Sequence, residues 1–202
     1  MSGRERIGIF GGTFDPVHLG HLVSAAEMCE VCRLDQVLWV PAGSPPHKRG
    51  SVISPNEDRI AMLRLALADD PRSTVSLADS ATEGPSYTVD LLRRMRGEHP
   101  AAELVFLMGE DSLRDLATWH DPAGIASLAE IAVARRPGVA VDLESVFNAV
   151  PGTRGRTHLV DVPLIGISAS EIRGRVSCGR TIRHLVPRAV EEYIRERGLY
   201  LD

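Results

Sequence analysis

Leu104-Val105-Phe106-Leu107-Met108 is an uninterrupted apolar run with no alternation of polar and apolar residues. A strand with one wet face alternates; a strand covered by helices on both faces does not, so this run implies a central strand of a parallel sheet. Working outward, other short strands are predicted at Arg6–Phe10, Gln36–Val40, Ser73–Leu77, Ile131–Ala134 and Leu159–Val162. Helical patterns separate them. One runs from about Gly20 to Arg33, one covers Tyr87–Arg96 with Leu91, Leu92 and Met95 on one face, and Pro187–Arg197 closes the chain at Gly198. Two starts carry capping boxes. Ser54-Pro55-Asn56-Glu57, with proline at the first helical position, opens a helix to about Ala68, and Ser168-Ala169-Ser170-Glu171 opens one that Gly179 ends. A proline-rich loop spans Pro41–Ile53. Arg136–His158 is the least regular stretch, a loop or a weak helix near Leu143–Val150. The alternation predicts an α/β chain, an open and mostly parallel sheet with helices on both faces. Ligands of such sheets bind beyond the carboxyl ends of the strands.

The 202 residues, 25% charged and 44% hydrophobic, suit one globular domain over 1–202 with a helical C-terminal part from about 164 to 202. A net charge of −4 and an aromatic content of 4% argue against nucleic acid and anionic membrane as partners. No apolar run approaches the roughly 18 residues of a membrane span, and Met1–Arg6 does not open a signal peptide, so the expected location is cytoplasmic. The sequence leaves assembly into a homo-oligomer open. Cys29 and Cys32 form a C-x-x-C near the end of a helical stretch, where the dipole does not favour a thiolate. With Cys178 as the only other cysteine and no second C-x-x-C for zinc, they read as buried structural thiols.

The loop after the first strand is Gly11-Gly12-Thr13-Phe14-Asp15-Pro16-Val17-His18-Leu19-Gly20-His21. Two glycines allow close backbone approach, and a helix start presents free N–H groups and a positive dipole. His18 and His21, three apart with Gly20 between them, can lean toward one ligand. That is a phosphate site by construction. The dinucleotide fingerprint G-x-G-x-x-G is absent, and Asp35 precedes the second strand instead of following it. The Walker pattern is absent too. A metal site lacks a third ligand at helical spacing, and a capped loop with two solvated histidines is the bland alternative.

The string resembles the H-x-G-H signature of the nucleotidylyltransferase superfamily. In its G-G-T-F-D-P form it is similar to the bacterial nicotinate-nucleotide adenylyltransferases. Later segments match in order: Pro45-Pro46-His47-Lys48, Ser86-Tyr87-Thr88-Val89-Asp90, Gly109-Glu110-Asp111 with Trp119, and Ile167-Ser168-Ala169-Ser170-Glu171-Ile172-Arg173. The resemblance covers nearly the whole chain and implies a Rossmann-like fold. It also implies a reaction in NAD biosynthesis, in which the phosphate of nicotinate mononucleotide attacks the α-phosphorus of ATP, giving nicotinate adenine dinucleotide and pyrophosphate. The attacking phosphate is already anionic, so positioning and charge stabilisation suffice and no general base is needed.

Under that resemblance His18 and His21 would donate to ATP phosphates, which Gly11, Gly12, Thr13 and Phe14 line. Arg173 would grip the β- and γ-phosphates, with Ser168 and Ser170 as further donors. Ala169 and Ser170 stand where the family often has serine and threonine, a departure that bears on fine contacts. Lys48 would bring a mobile positive charge over the reacting phosphates; a solvated surface lysine is its bland alternative, and His47 is weaker still. Thr88, in the first turn of a helix, would receive the nicotinate carboxylate, with Trp119 and Tyr87 stacking on the ring. Asp111, after Gly109, would bind a ribose hydroxyl, or else cap the following helix. Mg2+ would be held mainly by ATP phosphates and water. Two rivals are a pantetheine-phosphate adenylyltransferase, which gives Thr88 and Trp119 no role, and a nucleotide sensor that has lost catalysis.

Overall fold

The computed structural model describes residues 4–44, 53–80, 84–135 and 141–201. Six strands form one sheet, all parallel: β1 (Arg6–Gly12), β2 (Gln36–Pro41), β3 (Ser73–Val75), β4 (Glu103–Gly109), β5 (Glu130–Arg135) and β6 (Thr157–Asp161), in the order β3-β2-β1-β4-β5-β6. The order reverses between β1 and β4, so the crevice at their carboxyl ends is the place where this topology opens a ligand site.

Alternate residues of the central strands feed two separate cores. Phe10, Val105, Leu107, Ala132 and Ala134 point to the face covered by α1 (Leu19–Val31), α2 (Asn56–Ala66), α7 (Ala169–Ser177) and α8 (Arg188–Arg197). Ile7, Ile9, Leu104, Phe106, Ile131 and Val133 point to the face covered by α3 (Thr88–Glu98), α4 (Glu110–Asp115), α5 (Pro122–Leu128) and α6 (Leu143–Ala149). The period of two is therefore present in β4 but apolar on both phases, as the opening run required.

Several boundaries differ from expectation. β1 runs on through Gly11 and Gly12 because β2 extends opposite it to Pro41. β3 stops at Val75, two residues short of Leu77. β6 starts two residues earlier than Leu159. The capping box at Ser54 does not form. Pro55 is the N-cap of α2, while the Ser54 N–H donates to Asp15 Oδ2 and the Ser54 carbonyl accepts from Arg59 Nε. The irregular stretch holds the helix α6, and Gly109–Ala129 holds α4, a 3-10 turn at Leu116–Thr118 and α5. α5 carried a readable signal: Asp121 caps it by accepting from Gly124 N, and Pro122 follows at the first position. The capping box at Ser168 forms in half. Ser168 Oγ accepts from Glu171 N at 3.1 Å, but the Glu171 carboxylate turns to Arg175.

Candidate active site

The first site residues stand on a turn that buries its own polar groups. Phe14 adopts φ +50°, uncommon for a bulky residue, and its buried ring packs against Phe10, Trp39 and His21. A Cβ on Gly12 would stand 2.8 Å from the Phe14 ring, so only glycine lets β1 end against it. His18 is the N-cap of α1, and its ring stacks on that of His21 with centroids 3.6 Å apart. The His18 backbone N–H donates to His21 Nδ1 at 3.2 Å. His21 Nδ1 is thus an acceptor, and in the neutral ring the proton sits on Nε2, which makes that nitrogen a donor. A Cβ on Gly20 would lie 3.0 Å from His18 Nδ1, so glycine here leaves the imidazole its place.

Two clefts open at the carboxyl end of the sheet. One, of about 450 Å³, lies between the starts of α1 and α7 and brings together His18, His21, Ser168 and Ser170 over Gly11 and Gly12, with Phe14, Gly109 and Asp111 on its wall. Ser168 Oγ uses a lone pair to cap α7, so its O–H is left to donate. The other cleft, of about 490 Å³, lies at the start of α3 and is lined by Thr13, Tyr87, Thr88 and Trp119. Gly11, Gly12, Phe106 and Trp119 line both. The two cavities therefore meet over the end of β1.

Trp119 is half-buried and meets Phe106 edge to face at 6.2 Å, so it is neither core nor free surface. Thr88 is the first residue of α3, and Tyr87 is its N-cap. Asp111 touches the first cleft alone. It lies inside the first turn of α4, whose N-cap is Gly109, and pairs with Arg114 Nη2 at 3.1 Å; it does not cap the helix. Arg173 lines neither cleft: Nη1 donates to the Asp15 carbonyl at 2.7 Å and Nη2 to Ser170 Oγ at 3.3 Å. It sits beside the first cleft, tied through Ser170 to its rim. Lys48 and His47 lie outside the described residues.

The structure adds residues that sequence reasoning passed over. His120 packs its ring on Tyr87, centroids 4.4 Å apart, and lines the second cleft. Asp79 is buried there, with Oδ2 accepting from Gly43 N at 3.1 Å. Arg59, 2% exposed, donates to the carbonyls of Thr13, Ala42 and Ser54 and so joins the loops after β1 and β2. Burial lowers its pKa, and the Asp15 charge works the other way. A polar neighbour of Trp119 could have flagged His120. Nothing local marks Asp79 or Arg59, whose partners are remote in sequence.

Among the described residues no group of three or more His, Cys, Asp or Glu stands together to hold a metal. Cys29 and Cys32 are buried, and burial pushes both thiols up, away from the thiolate a redox pair needs. No helix among the described residues is long and apolar enough to cross a membrane.

Residues 9–175 match the cytidylyltransferase-like family model. A "Probable nicotinate-nucleotide adenylyltransferase" from Thermomicrobium roseum is 57% identical over 97% of this chain and 92% of its own. One of the same name from Thermus thermophilus is 46% identical over 96% and 99%. Among solved structures, the Plasmodium falciparum nicotinic acid mononucleotide adenylyltransferase, in complexes with APC and with NaAD, superposes with a TM-score of 0.79 over 97% of each chain at 20% identity, a likeness of fold. The chain belongs to the cytidylyltransferase-like family and, within it, to the nicotinate-nucleotide adenylyltransferases.

Proposed function

We propose that this protein transfers the adenylyl group of ATP to nicotinate mononucleotide, forming nicotinate adenine dinucleotide and pyrophosphate in NAD biosynthesis. The observation that carries the reading is the meeting of two clefts over Gly11 and Gly12, with Phe106 and Trp119 as common wall. A nucleotide in each would bring its phosphate to the same two glycines. Proximity of that kind lowers the barrier by turning a bimolecular encounter into a fixed geometry.

ATP takes the cleft of the two histidines. His21 Nε2–H, His18 and the hydroxyls of Ser168 and Ser170 converge on its triphosphate. Arg173 adds charge from the rim, where its bond to Ser170 orients the guanidinium. An oxygen of the acceptor phosphate attacks the α-phosphorus, the bond to the β-phosphate oxygen breaks, and pyrophosphate leaves with its electron pair. No proton has to be removed, so the donors act on developing charge alone. A magnesium ion bound with ATP would be held mainly by phosphates and water, and would neutralise phosphate charge there. Lys48 would supply a further cation to the reacting phosphates.

Nicotinate mononucleotide takes the other cleft. The start of α3 at Thr88 offers backbone N–H groups and a positive dipole to the carboxylate. Trp119 and Tyr87 supply aromatic faces for the pyridine ring. We infer a cytoplasmic enzyme of small molecules, with neither nucleic acid nor membrane among its partners, in keeping with a net charge of −4.

The test is pyrophosphate release from ATP with nicotinate mononucleotide, nicotinamide mononucleotide and phosphopantetheine supplied separately. Release fastest with the nicotinate nucleotide is the expected result. Release with phosphopantetheine alone moves the protein to the rival enzyme, and ATP binding without any release makes it a sensor.

A further inference from the structure

The turn that carries the histidines does not hold itself. Asp15, 1% exposed, has its two carboxylate oxygens on different partners: Oδ2 accepts from Ser54 N at 3.2 Å, and Oδ1 accepts from the Tyr200 hydroxyl at 2.7 Å. A buried carboxylate persists only when hydrogen-bonded, so each partner matters. Tyr200 lies 185 residues away in sequence, in the segment that follows α8. Two more bonds reach the same turn from the C-terminal part. Arg173 Nη1 donates to the Asp15 carbonyl at 2.7 Å, and the Leu185 carbonyl accepts from Leu19 N at 3.0 Å. Asp15–Leu19, the stretch that runs through the His18 N-cap into α1, is thus tied from one side at three points.

The path of the C-terminal segment argues that this docking is built. Gly198 ends α8 in the left-handed region at φ +60°, which is all a helix stop requires. Tyr200 then adopts the same region at φ +65°, a conformation that a bulky residue rarely takes unless its surroundings over-determine it. That second turn returns the side chain to the core, where its hydroxyl meets Asp15. Burial, and then the hydrogen bond to Asp15, push the phenol far above its ordinary range, so it stays a donor.

We infer that Tyr200 is a positioning residue for adenylyl transfer: its hydroxyl holds the Asp15 carboxylate, and through it the turn that aims His18 and His21 into the phosphate-side cleft. The inference rests on the function proposed above. Tyr193 supplies an internal comparison. It lies on α8, and its hydroxyl donates to Asp58 Oδ1 at 2.7 Å, a carboxylate of α2 that otherwise bonds Arg197 and not the turn.

The experiment compares Tyr200→Phe, Tyr193→Phe, Asp15→Ala and the Tyr200→Phe/Asp15→Ala pair with the parent chain, below each protein's unfolding temperature. Tyr200→Phe should lower kcat by about 10- to 100-fold, the scale of a small misplacement of catalytic groups. The KM for nicotinate mononucleotide should change less than about threefold, because the acceptor cleft is untouched. Tyr193→Phe should keep kcat while losing comparable thermal stability. The double variant should be no slower than the slower single, since both changes break one link. A Tyr200→Phe protein with parental kcat overturns the inference, as do equal losses in the two tyrosine variants or losses that multiply. Should Tyr200→Phe fail to fold, Asp15→Ala decides by the same loss of kcat. A parent inert toward every acceptor overturns the functional reading instead. Affinity for ATP then judges the latch: Tyr200→Phe must weaken it about tenfold and Tyr193→Phe leave it alone.

Discussion

His21 accepts the His18 backbone N–H and His18 stacks on His21, so the pair acts as one preorganised unit and not as two mobile imidazoles. Donors fixed before charge develops cost no reorganisation during reaction, which is where their catalytic value lies. His18→Ala should therefore lower kcat by about 10²- to 10³-fold while the protein still folds and binds ATP. Calorimetric ATP binding beside single-turnover assays checks both halves, and parental turnover would remove His18 from the mechanism. This pair was legible in the sequence because glycine and histidine carry their chemistry in their identity and stood three residues apart. Asp15 and Arg59 were not. Each is a charged residue whose role exists only through partners brought from Ser54, Thr13, Ala42 and Tyr200. Arg173 shows a third case: the sequence placed it one turn into the helix that Ser168 caps, but its bond to the Asp15 carbonyl depends on a contact across 158 residues.

At the scale of elements, helix starts line the crevice. The starts of α1 and α7 flank one cleft and that of α3 closes the other. Thr88 is the first residue of α3, and Tyr87 before it is extended at φ −91°, ψ 133°. Proline is tolerated at a first helical position and wants an extended residue before it, so Thr88→Pro deletes one backbone donor without breaking the helix. A charge-assisted hydrogen bond to the nicotinate carboxylate is worth about 1.5–3 kcal/mol, so its loss should raise the KM for nicotinate mononucleotide at least tenfold. The KM for ATP should stay constant, as should the circular dichroism. Thr88→Ala, which keeps the N–H, separates the backbone donor from the hydroxyl. An unchanged acceptor KM in the proline variant removes the dipole from acceptor choice. The long helices were readable from caps and spacing: α7 from Ser168, α8 from its glycine stop. α4 was too short at six residues for a period to emerge, and the box at Ser54 was lost to a tertiary partner, since its N–H and carbonyl were claimed by Asp15 and Arg59.

Across the whole molecule, the sheet separates chemistry from support. The clefts occupy the carboxyl edge, whereas the amino edge is joined by Arg6, which opens β1. Its guanidinium donates to Glu103 on β4 at 2.6 Å, to Glu130 on β5 at 2.8 Å and to the Cys32 carbonyl at 3.0 Å. One side chain thus ties three neighbouring strands, β1, β4 and β5, to the end of α1. His158 on β6 completes the row at 2.9 Å from Glu130. Burial by itself would raise the Glu130 carboxyl, but Arg6 and His158 outweigh it and hold it below the ordinary glutamate range. A carboxyl with a depressed folded pKa stabilises the fold fully above its unfolded value, about pH 4.3, and loses that contribution as pH falls through the lower folded value. Both groups are partly exposed, so the pair is worth about 1 kcal/mol. Glu130→Gln should then lower the unfolding temperature by about 2–4 °C at neutral pH, the shift that energy gives in a chain of this size. The gap to the parent should close as pH falls below the unfolded value and through the lower folded one. Turnover at neutral pH should not change, because the substitution lies at the edge of the sheet opposite the clefts. Melting curves from acid to neutral pH, with kcat measured alongside, test the division directly. A gap that persists in acid would mean that Glu130 acts by packing and not by charge, and a fall in kcat would mean that the two edges of the sheet are coupled.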